Sequence, residues 1–178
     1  MRQHWKKIGL IYNSQSYCSV PIAIPLSRRI IRIIFSTRDI DEQSLPFAID
    51  YNLYSQKTEN KFKINVNLGL PGTFDENGIM PSCFIIKDQK ISLYYIGWTK
   101  GRSTPFRNAI GLMTSENMGK SFIKYSVGPI LDRSIYDNCF VASNCVIKDN
   151  DIYKMYYLSC DKWIYEKGDL KHCYNIKY

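Results

Sequence analysis

The chain has 178 residues, of which 45% are hydrophobic and 22% are charged, and its formal net charge is +8. This length suits one domain with a substantial core and leaves little room for two. The composition excludes an intrinsically disordered chain, and no apolar run approaches the roughly 18 residues of a membrane helix. Because the apolar stretch at residues 8–12 is also too short for a signal peptide, we expect a cytoplasmic protein without a membrane span.

The excess of lysine and arginine has two interpretations. A clustered basic surface would indicate a nucleic-acid or other polyanionic partner. Apart from Arg28, Arg29 and Arg32, however, the cations are dispersed along the sequence, and no nucleic-acid-binding motif accompanies them. We therefore attribute the charge to a composition rich in Lys, Asn, Ile and Tyr, and expect no nucleic-acid partner.

The six cysteines form no C-x-x-C pair of the kind found in zinc and redox motifs. Cys83, Cys145 and Cys160 lie in apolar runs, which predicts buried free thiols rather than disulfides. His4 and His172 are isolated and far apart in the sequence. We therefore expect no metal site and no cofactor.

Three stretches share one rhythm of strand, polar turn and strand. They are CSVPIAIPLSRRIIRIIFSTR (18–38), GIMPSCFIIKDQKISLYYIGW (78–98) and FVASNCVIKDNDIYKMYYLSC (140–160). Pro21 aligns with Pro81 at an offset of 60 residues, and Pro81 aligns with Asn144 at an offset of 63. Alternating polarity and the abundance of β-branched and aromatic residues predict β-strands, and no amphipathic helix pattern is present.

The stretch NAIGLMTSENMGKSFIKYS after the second repeat predicts a further pair of strands. Four short antiparallel strands in roughly 60 residues are typical of a propeller blade. We therefore predict an all-β fold, a β-propeller of four-stranded antiparallel blades, with blades at about residues 8–66, 67–127 and 128–178. A β-sandwich is the alternative.

The turn in this last stretch carries a motif of its own. Its residues fit the pattern S-x-D-x-G-x-[ST]-[FW] with Asn in place of Asp: Ser115, Asn117, Gly119, Ser121 and Phe122. We expect the Asn side chain to cap the turn, the Gly to adopt a positive φ and the Phe to pack beneath. The pattern resembles the Asp-box hairpin of sialidase-type propellers, which is a structural motif.

Six further motifs are RIIFSTRD (32–39), GTFDENGIMPS (72–82), LYYIGW (93–98), PFRNAIGL (105–112), GPILDRS (128–134) and FVAS (140–143). Together they resemble the five-bladed propellers of the arabinanase/levansucrase/invertase superfamily. They look most like its uncharacterised bacterial glycosidase-like members, which are linked to polysaccharide synthesis. The resemblance covers the chain from about residue 8 onward. It implies a central funnel that takes a carbohydrate or sugar conjugate.

The chain departs from these relatives in two ways. They have five blades, whereas the repeats here account for three, so we expect either a truncated fragment or self-association through open blade edges. In the catalytic relatives, acids lie on the inner strands of the first three blades, next to the conserved Pro. The matching positions here are Val20, Met80 and about Ala142, and none of these side chains can transfer a proton.

Other residues are therefore candidates for the site. Asp75 is the first candidate for a catalytic acid or base because it lies just before the second inner strand, and Asp39 and Asp132 follow it. The candidate ligand-binding residues are Arg38, Glu76, Trp98, Arg107, Asn108, Arg133 and Asp137.

Each candidate also has a structural interpretation. The sequence FDENG (74–78) fits a turn, and the pairs Arg38–Asp39 and Asp132–Arg133 fit ion pairs that tie blades together. Trp98 suits packing between blades as well as stacking on a sugar ring.

Three functions remain open on this basis. The leading hypothesis is a glycosidase-like propeller that acts on or binds a carbohydrate in the funnel without the usual acids. The alternatives are a non-catalytic carbohydrate-binding or scaffold propeller, and an inactive truncated fragment. No G-x-G-x-x-G, P-loop or G-x-S-x-G motif supports another class of enzyme.

Overall fold

The structure, a computed structural model, describes residues 4–14 and 17–178. Within these residues the regular secondary structure is entirely β, and no helix is present that is long and apolar enough to cross a membrane. The strands are β1 (Cys18–Pro25), β2 (Ile30–Arg38), β3 (Ser44–Asn52), β4 (Lys57–Lys63), β5 (Gly78–Lys87), β6 (Lys90–Lys100), β7 (Phe106–Ser115), β8 (Ile123–Lys124), β9 (Phe140–Asp149), β10 (Ile152–Glu166) and β11 (Asp169–Lys177).

The strands form three consecutive antiparallel groups, which we call blades 1, 2 and 3. Blade 1 is β1–β4 and blade 2 is β5–β8, and in both each strand pairs with the next in sequence. Blade 3 is β9–β11, so among the described residues it has three strands rather than the expected four. One parallel bridge between Ser44 and Gly78 joins blades 1 and 2. The predicted all-β architecture of antiparallel blades is confirmed.

The first strand of each blade carries a β-bulge near the positions that the repeat alignment matched. The unpaired residues are Val20 and Pro21 in β1, Ser82 in β5 and Ser143 in β9. An extra residue bends the strand and increases its twist. Val20 has a φ of 46°, a left-handed conformation that strains a β-branched residue. The repeat in the sequence therefore corresponds to a repeated distortion of the inner strands.

The blades pack face to face through apolar side chains. One core cluster lies between blades 1 and 2, with Ile34, Ile79 and Tyr95 at its centre. A second cluster joins blades 2 and 3, where the rings of Phe106 and Trp163 lie 5.3 Å apart. Burial of this apolar surface is the main term that holds the blades together.

The predicted burial of the cysteines is confirmed for Cys160 and wrong for Cys145. Cys160 is fully buried between blades 2 and 3, whereas Cys145 is exposed. Alternate residues of a strand face opposite sides, and in β9 the neighbours Asn144 and Val146 are the buried ones. Cys83 is half-buried, with its Sγ accepting a hydrogen bond from the Val146 backbone N–H at 3.2 Å.

The expected capped turn between β7 and β8 is confirmed. The Asn117 Oδ1 atom accepts hydrogen bonds from the backbone N–H groups of Lys120 (3.1 Å) and Ser121 (3.0 Å). Gly119 has a φ of +81°, and its N–H donates to the Ser115 hydroxyl. The Phe122 ring is buried in the core between blades 1 and 2. The hairpin is therefore built by its own side chains, as the motif predicts.

A buried ion pair connects this hairpin to blade 1. Arg32 on β2 donates two hydrogen bonds to the Asp50 carboxylate on β3, at 2.7 and 2.8 Å, and a third to the Met118 carbonyl in the hairpin. Arg32 and Asp50 are 3% and 5% exposed. Burial opposes the ionisation of Asp50, but the hydrogen bond and charge of Arg32 outweigh it, so the pKa of Asp50 is lowered.

We expect Asp50→Asn to lower the free energy of unfolding by about 3–5 kcal/mol, because Arg32 is left buried without its counter-charge. Glu116→Gln is the control, since it breaks the exposed Lys90–Glu116 pair (3.1 Å), for which about 0–1 kcal/mol is expected. The measurement is urea unfolding of each variant. A loss for Asp50→Asn no larger than that for Glu116→Gln would contradict the role of this pair.

The same pair predicts the response to acid. A carboxyl whose folded pKa lies below its ordinary value of 3.8 stabilises the protein fully above that pH, and this contribution is lost as the pH falls through the folded pKa. Between neutral pH and pH values below 3.8, the wild type should therefore lose more stability than Asp50→Asn does. Equal losses in the two proteins would contradict the assignment.

The outer strands of blades 1 and 3 differ in a way that predicts association through blade 3. On β4, which forms the outer edge of blade 1, nearly every residue is exposed and four are charged (KTENKFK), a composition that discourages strand pairing. On β11 the side chains of Tyr174 and Ile176 are exposed, and the described residues place no strand beside its outer edge.

We expect the mass measured by light scattering to rise with protein concentration, and Ile176→Lys to suppress the rise. Ile40→Lys, at an exposed turn, should leave it unchanged. A constant monomer mass would contradict association through β11.

Candidate functional site

The ends of six strands meet on one face of the propeller. The pairs Gly78–Trp98 and Trp98–Asn108 place the start of β5, the end of β6 and the start of β7 side by side. In blade 1, the pairs Cys18–Thr37 and Ser44–Arg38 do the same for β1, β2 and β3. Side chains at these ends, and the loops that connect them, therefore surround the same region.

A cavity of about 570 Å³ opens on this face, and we call it the funnel cavity. This volume is in the range of natural ligand sites. Its principal lining residues are Tyr17, Arg38, Met80, Trp98, Phe106 and Asn108. Three of the predicted ligand-binding residues, Arg38, Trp98 and Asn108, therefore lie together. The sequence did not single out Tyr17 or Phe106, because each becomes part of the site only when neighbouring strands pair.

Arg38 is the most prominent polar group of the funnel cavity. The carbon of its guanidinium lies 4.9 Å from the centre of the Tyr17 ring and 5.6 Å from the centre of the Trp98 ring. Both distances are within the range of cation–π attraction. The aromatic contacts orient the guanidinium, whose side chain is exposed at the mouth of the cavity.

Two buried polar atoms in the wall have no hydrogen-bond partner in the described part of the chain. They are the indole nitrogen of Trp98 and the amide oxygen of Asn108, each in a residue that is 7% exposed. The indole lies so close to Gly78 that a Cβ there would be 2.0 Å from the nitrogen, so only glycine fits this position. Unpaired buried polar atoms are uncommon in folded proteins.

A second cavity of about 380 Å³, the loop cavity, lies beside the first and shares Asn108 with it. Glu76, Arg107 and Asp132 line it, so it contains three more predicted residues. Arg107 donates to Asp132 at 2.6 Å, and the Glu76 carboxylate accepts from the Gly72 N–H at 2.6 Å. Asp132 thus pairs with Arg107 across the β7 end rather than with its neighbour in sequence.

Arg133 and Asp39 lie elsewhere. Arg133 is exposed and uses its backbone N–H to donate to Asp132. The Asp39 carboxylate caps the turn after β2 by accepting from the N–H groups of Asp41 (3.0 Å) and Gln43 (2.8 Å), and it lines a third cavity next to β4. The proposed Arg38–Asp39 and Asp132–Arg133 ion pairs do not form among the described residues, because both carboxylates are held by other partners.

Asp75, the first candidate for a catalytic acid, is fully buried. Its carboxylate accepts a hydrogen bond from the Tyr95 hydroxyl at 2.8 Å and pairs with the Lys124 ammonium at 2.5 Å. Burial, and then the negative charge of Asp75, raise the pKa of Tyr95. The group ties the loop before β5 to β6 and β8. Asp75 does not line the funnel cavity or the loop cavity, and its position favours a structural role.

Asp137 holds the equivalent position in blade 3. It lies three residues before β9, just as Asp75 lies three residues before β5, and is 2% exposed. Tyr157 on β10 lies 3.4 Å and Lys177 on β11 lies 3.4 Å from its carboxylate. Burial opposes its ionisation, but hydroxyl groups of nearby serines and the charge of Lys177 outweigh it and lower the pKa of Asp137. This repeated Asp–Tyr–Lys arrangement, which we call the carboxylate clamp, therefore ties the loop before the inner strand to the rest of blades 2 and 3.

The three candidate catalytic carboxylates thus do not converge. Asp75 is in a clamp, Asp39 lines the third cavity and Asp132 lines the loop cavity. Of the positions matched to the acids of the catalytic relatives, Met80 lines the funnel cavity, and Ala142 is buried between blades 2 and 3. No group of three or more His, Cys, Asp or Glu side chains within residues 4–14 and 17–178 is arranged to hold a metal ion.

Comparison with known proteins places the fold. No family model matches the chain. The chain is similar to the α-L-arabinofuranosidase of Lactobacillus brevis, with 10% identity and a TM-score of 0.66; the match covers 97% of this chain and 56% of that one. It is similar to a thermostable family-43 glycoside hydrolase, with 14% identity and a TM-score of 0.65; the match covers 91% of this chain and 59% of that one. It is also similar to an endo-1,4-beta-xylanase from Bacteroides thetaiotaomicron, with 12% identity and a TM-score of 0.63; the match covers 98% of this chain and 63% of that one.

Two curated sequences from Mycobacterium tuberculosis, the uncharacterized proteins MT1551 and Rv1502, are 26% identical to the chain over 177 residues. The match covers 94% of this chain and 59% of theirs, so the chain spans about three fifths of the length of these relatives. At these levels of identity the likeness shows the fold. The fold is an all-β propeller, which these glycoside hydrolase structures share.

We expect Asp75→Asn to lower the free energy of unfolding by about 2–4 kcal/mol, because Lys124 loses its buried counter-charge, and to leave glycan binding unchanged. Asp132→Asn is the control, since its pair with Arg107 is partly exposed and about 0–1 kcal/mol is expected. Urea unfolding and a binding titration test both statements. A variant that keeps its stability but loses turnover of a glycan would instead make Asp75 catalytic.

Proposed function

We propose that the protein binds a carbohydrate or sugar conjugate in the funnel cavity and does not cleave it. The observation that carries this proposal is the combination of aromatic and polar side chains around one cavity on the face where the inner strands begin. The similar structures are a family-43 glycoside hydrolase, a xylanase and an arabinofuranosidase, which supports a carbohydrate as the ligand.

The chemistry of the cavity wall suits a sugar. A pyranose has C–H faces that pack against aromatic rings, and Tyr17, Trp98 and Phe106 supply such rings. Its hydroxyl groups need hydrogen-bond partners, and the side-chain amide of Asn108, which lines the cavity, can supply one. Arg38 donates to hydroxyl or anionic oxygens at the mouth.

The same wall offers poor support for hydrolysis. Most glycoside hydrolases cleave their bond with two carboxyl groups that lie on either side of it. The funnel cavity contains one carboxylate, Glu42, whose oxygen lies 3.4 Å from the Lys100 ammonium. The other candidates lie in different cavities or in the carboxylate clamp. Binding without cleavage is therefore the function that the geometry favours.

We expect Tyr17→Ala and Asn108→Ala to weaken glycan binding by about fivefold to tenfold each, since each removes one contact in the cavity. The matched control is Tyr54→Ala, which removes an exposed tyrosine that also contacts an arginine, Arg29 at 5.4 Å, at the opposite end of blade 1. The measurement is isothermal titration with glycans selected on an array of neutral and acidic oligosaccharides.

Two results would overturn the proposal. The absence of binding to every glycan on the array would remove the carbohydrate function. Release of reducing ends that is lost in Asp132→Asn would make the loop cavity a site of cleavage and restore the hydrolase hypothesis.

A further inference from the structure

We infer that the funnel cavity selects acidic sugars, with Arg38 as the residue that binds the carboxylate or phosphate group of the ligand. This inference rests on the proposed carbohydrate-binding function and specifies its ligand class. It follows from the charge of one arginine and from the side chains that surround it.

The first observation is that Arg38 is oriented without being neutralised. The Tyr17 and Trp98 rings contact its guanidinium at 4.9 and 5.6 Å. Among the described residues no carboxylate oxygen lies within 4.0 Å of it, whereas the partly or fully buried arginines Arg32 and Arg107 each have a carboxylate partner. Aromatic contacts leave the N–H edge of a guanidinium free to donate, which is the arrangement that binds planar carboxylates and phosphates.

The second observation concerns the acidic neighbours of Arg38. The carboxylate of Asp39 accepts hydrogen bonds from the backbone of the turn that follows β2 and is not directed to Arg38. Glu42 pairs with Lys100, a second cation of the cavity wall. The side chains of the funnel cavity therefore carry a net positive charge, and the charge that remains uncompensated belongs to Arg38.

The third observation is the side-chain amide of Asn108, in a residue that is 7% exposed and lines the same cavity. An amide group both donates and accepts hydrogen bonds, so it can bind a hydroxyl group of a sugar whose anionic group lies at Arg38. An anion site at Arg38, a hydroxyl site at Asn108 and aromatic surface between them together describe an acidic pyranose.

The test compares charged ligands with their neutral counterparts. A galacturonate oligosaccharide and its methyl ester form one pair, and glucose 1-phosphate with glucose forms a second, with inorganic phosphate measured separately. Each is titrated calorimetrically into wild type, Arg38→Gln and Arg29→Gln. Arg29→Gln is the matched control because Arg29 is exposed and also contacts a tyrosine ring, at 5.4 Å, but lies at the opposite end of blade 1.

We expect the charged member of at least one pair to bind wild type about tenfold to a hundredfold more tightly than the neutral member, a preference that falls with salt. The preference should disappear in Arg38→Gln and persist in Arg29→Gln. The pair that shows it distinguishes a uronate from a sugar phosphate.

Equal binding of the charged and neutral members would overturn this inference and leave the carbohydrate function intact. Inorganic phosphate that binds as tightly as glucose 1-phosphate would reduce the site to an anion site and also overturn it. A preference that survives Arg38→Gln would assign the charge to another residue. Failure of all the sugars to bind, on the array as well as in the titrations, would remove the proposed function itself.

Discussion

A buried carboxylate held by a tyrosine and a lysine organises blades 2 and 3 of this protein. In blade 2 the Asp75 carboxylate joins the loop before β5 to β6 and β8, and in blade 3 Asp137 joins the loop before β9 to β10 and β11. A buried ion pair adds little stability over an apolar contact. If the loop moves out of the clamp, however, the lysine loses its counter-charge, and this is strongly unfavourable. The clamp therefore fixes where the inner strands of blades 2 and 3 begin.

Contacts between blades are of a different kind. Apolar clusters fill the space between blades 1 and 2 and between blades 2 and 3, and these are complemented by a few specific hydrogen bonds. Arg32 reaches from blade 1 to the Met118 carbonyl of the β7–β8 hairpin, and Ser82 on β5 exchanges hydrogen bonds with the Asn144 backbone on β9. The apolar surfaces supply the attraction, and the hydrogen bonds set the relative position of the blades. The strand ends of blade 2 that line the funnel cavity are thus held between blade 1 and blade 3.

The charged groups of this protein fall into two kinds, those that are buried and paired within the blades and those that face a cavity. The carboxylates just before the inner strands are buried and paired, whereas Arg38 is exposed, held by aromatic rings and left without a carboxylate partner. A fold shared with glycoside hydrolases does not by itself specify hydrolysis, because the chemistry depends on the side chains at the site. In this chain those side chains suit recognition of a sugar, and the charge of Arg38 favours an acidic one.

The sequence by itself determined the all-β class, the repeated strand–turn–strand unit and the capped hairpin at Asn117, since these depend on local periodicity and on side chains that bond to their own turn. It also identified Arg38, Trp98 and Asn108, which the structure brings into one cavity. Only the tertiary structure decided which carboxylates are accessible. Asp75 and Asp132 look alike in the sequence, yet one is buried against Lys124 and the other faces a cavity, because burial and ion pairing depend on partners about 25–50 residues away.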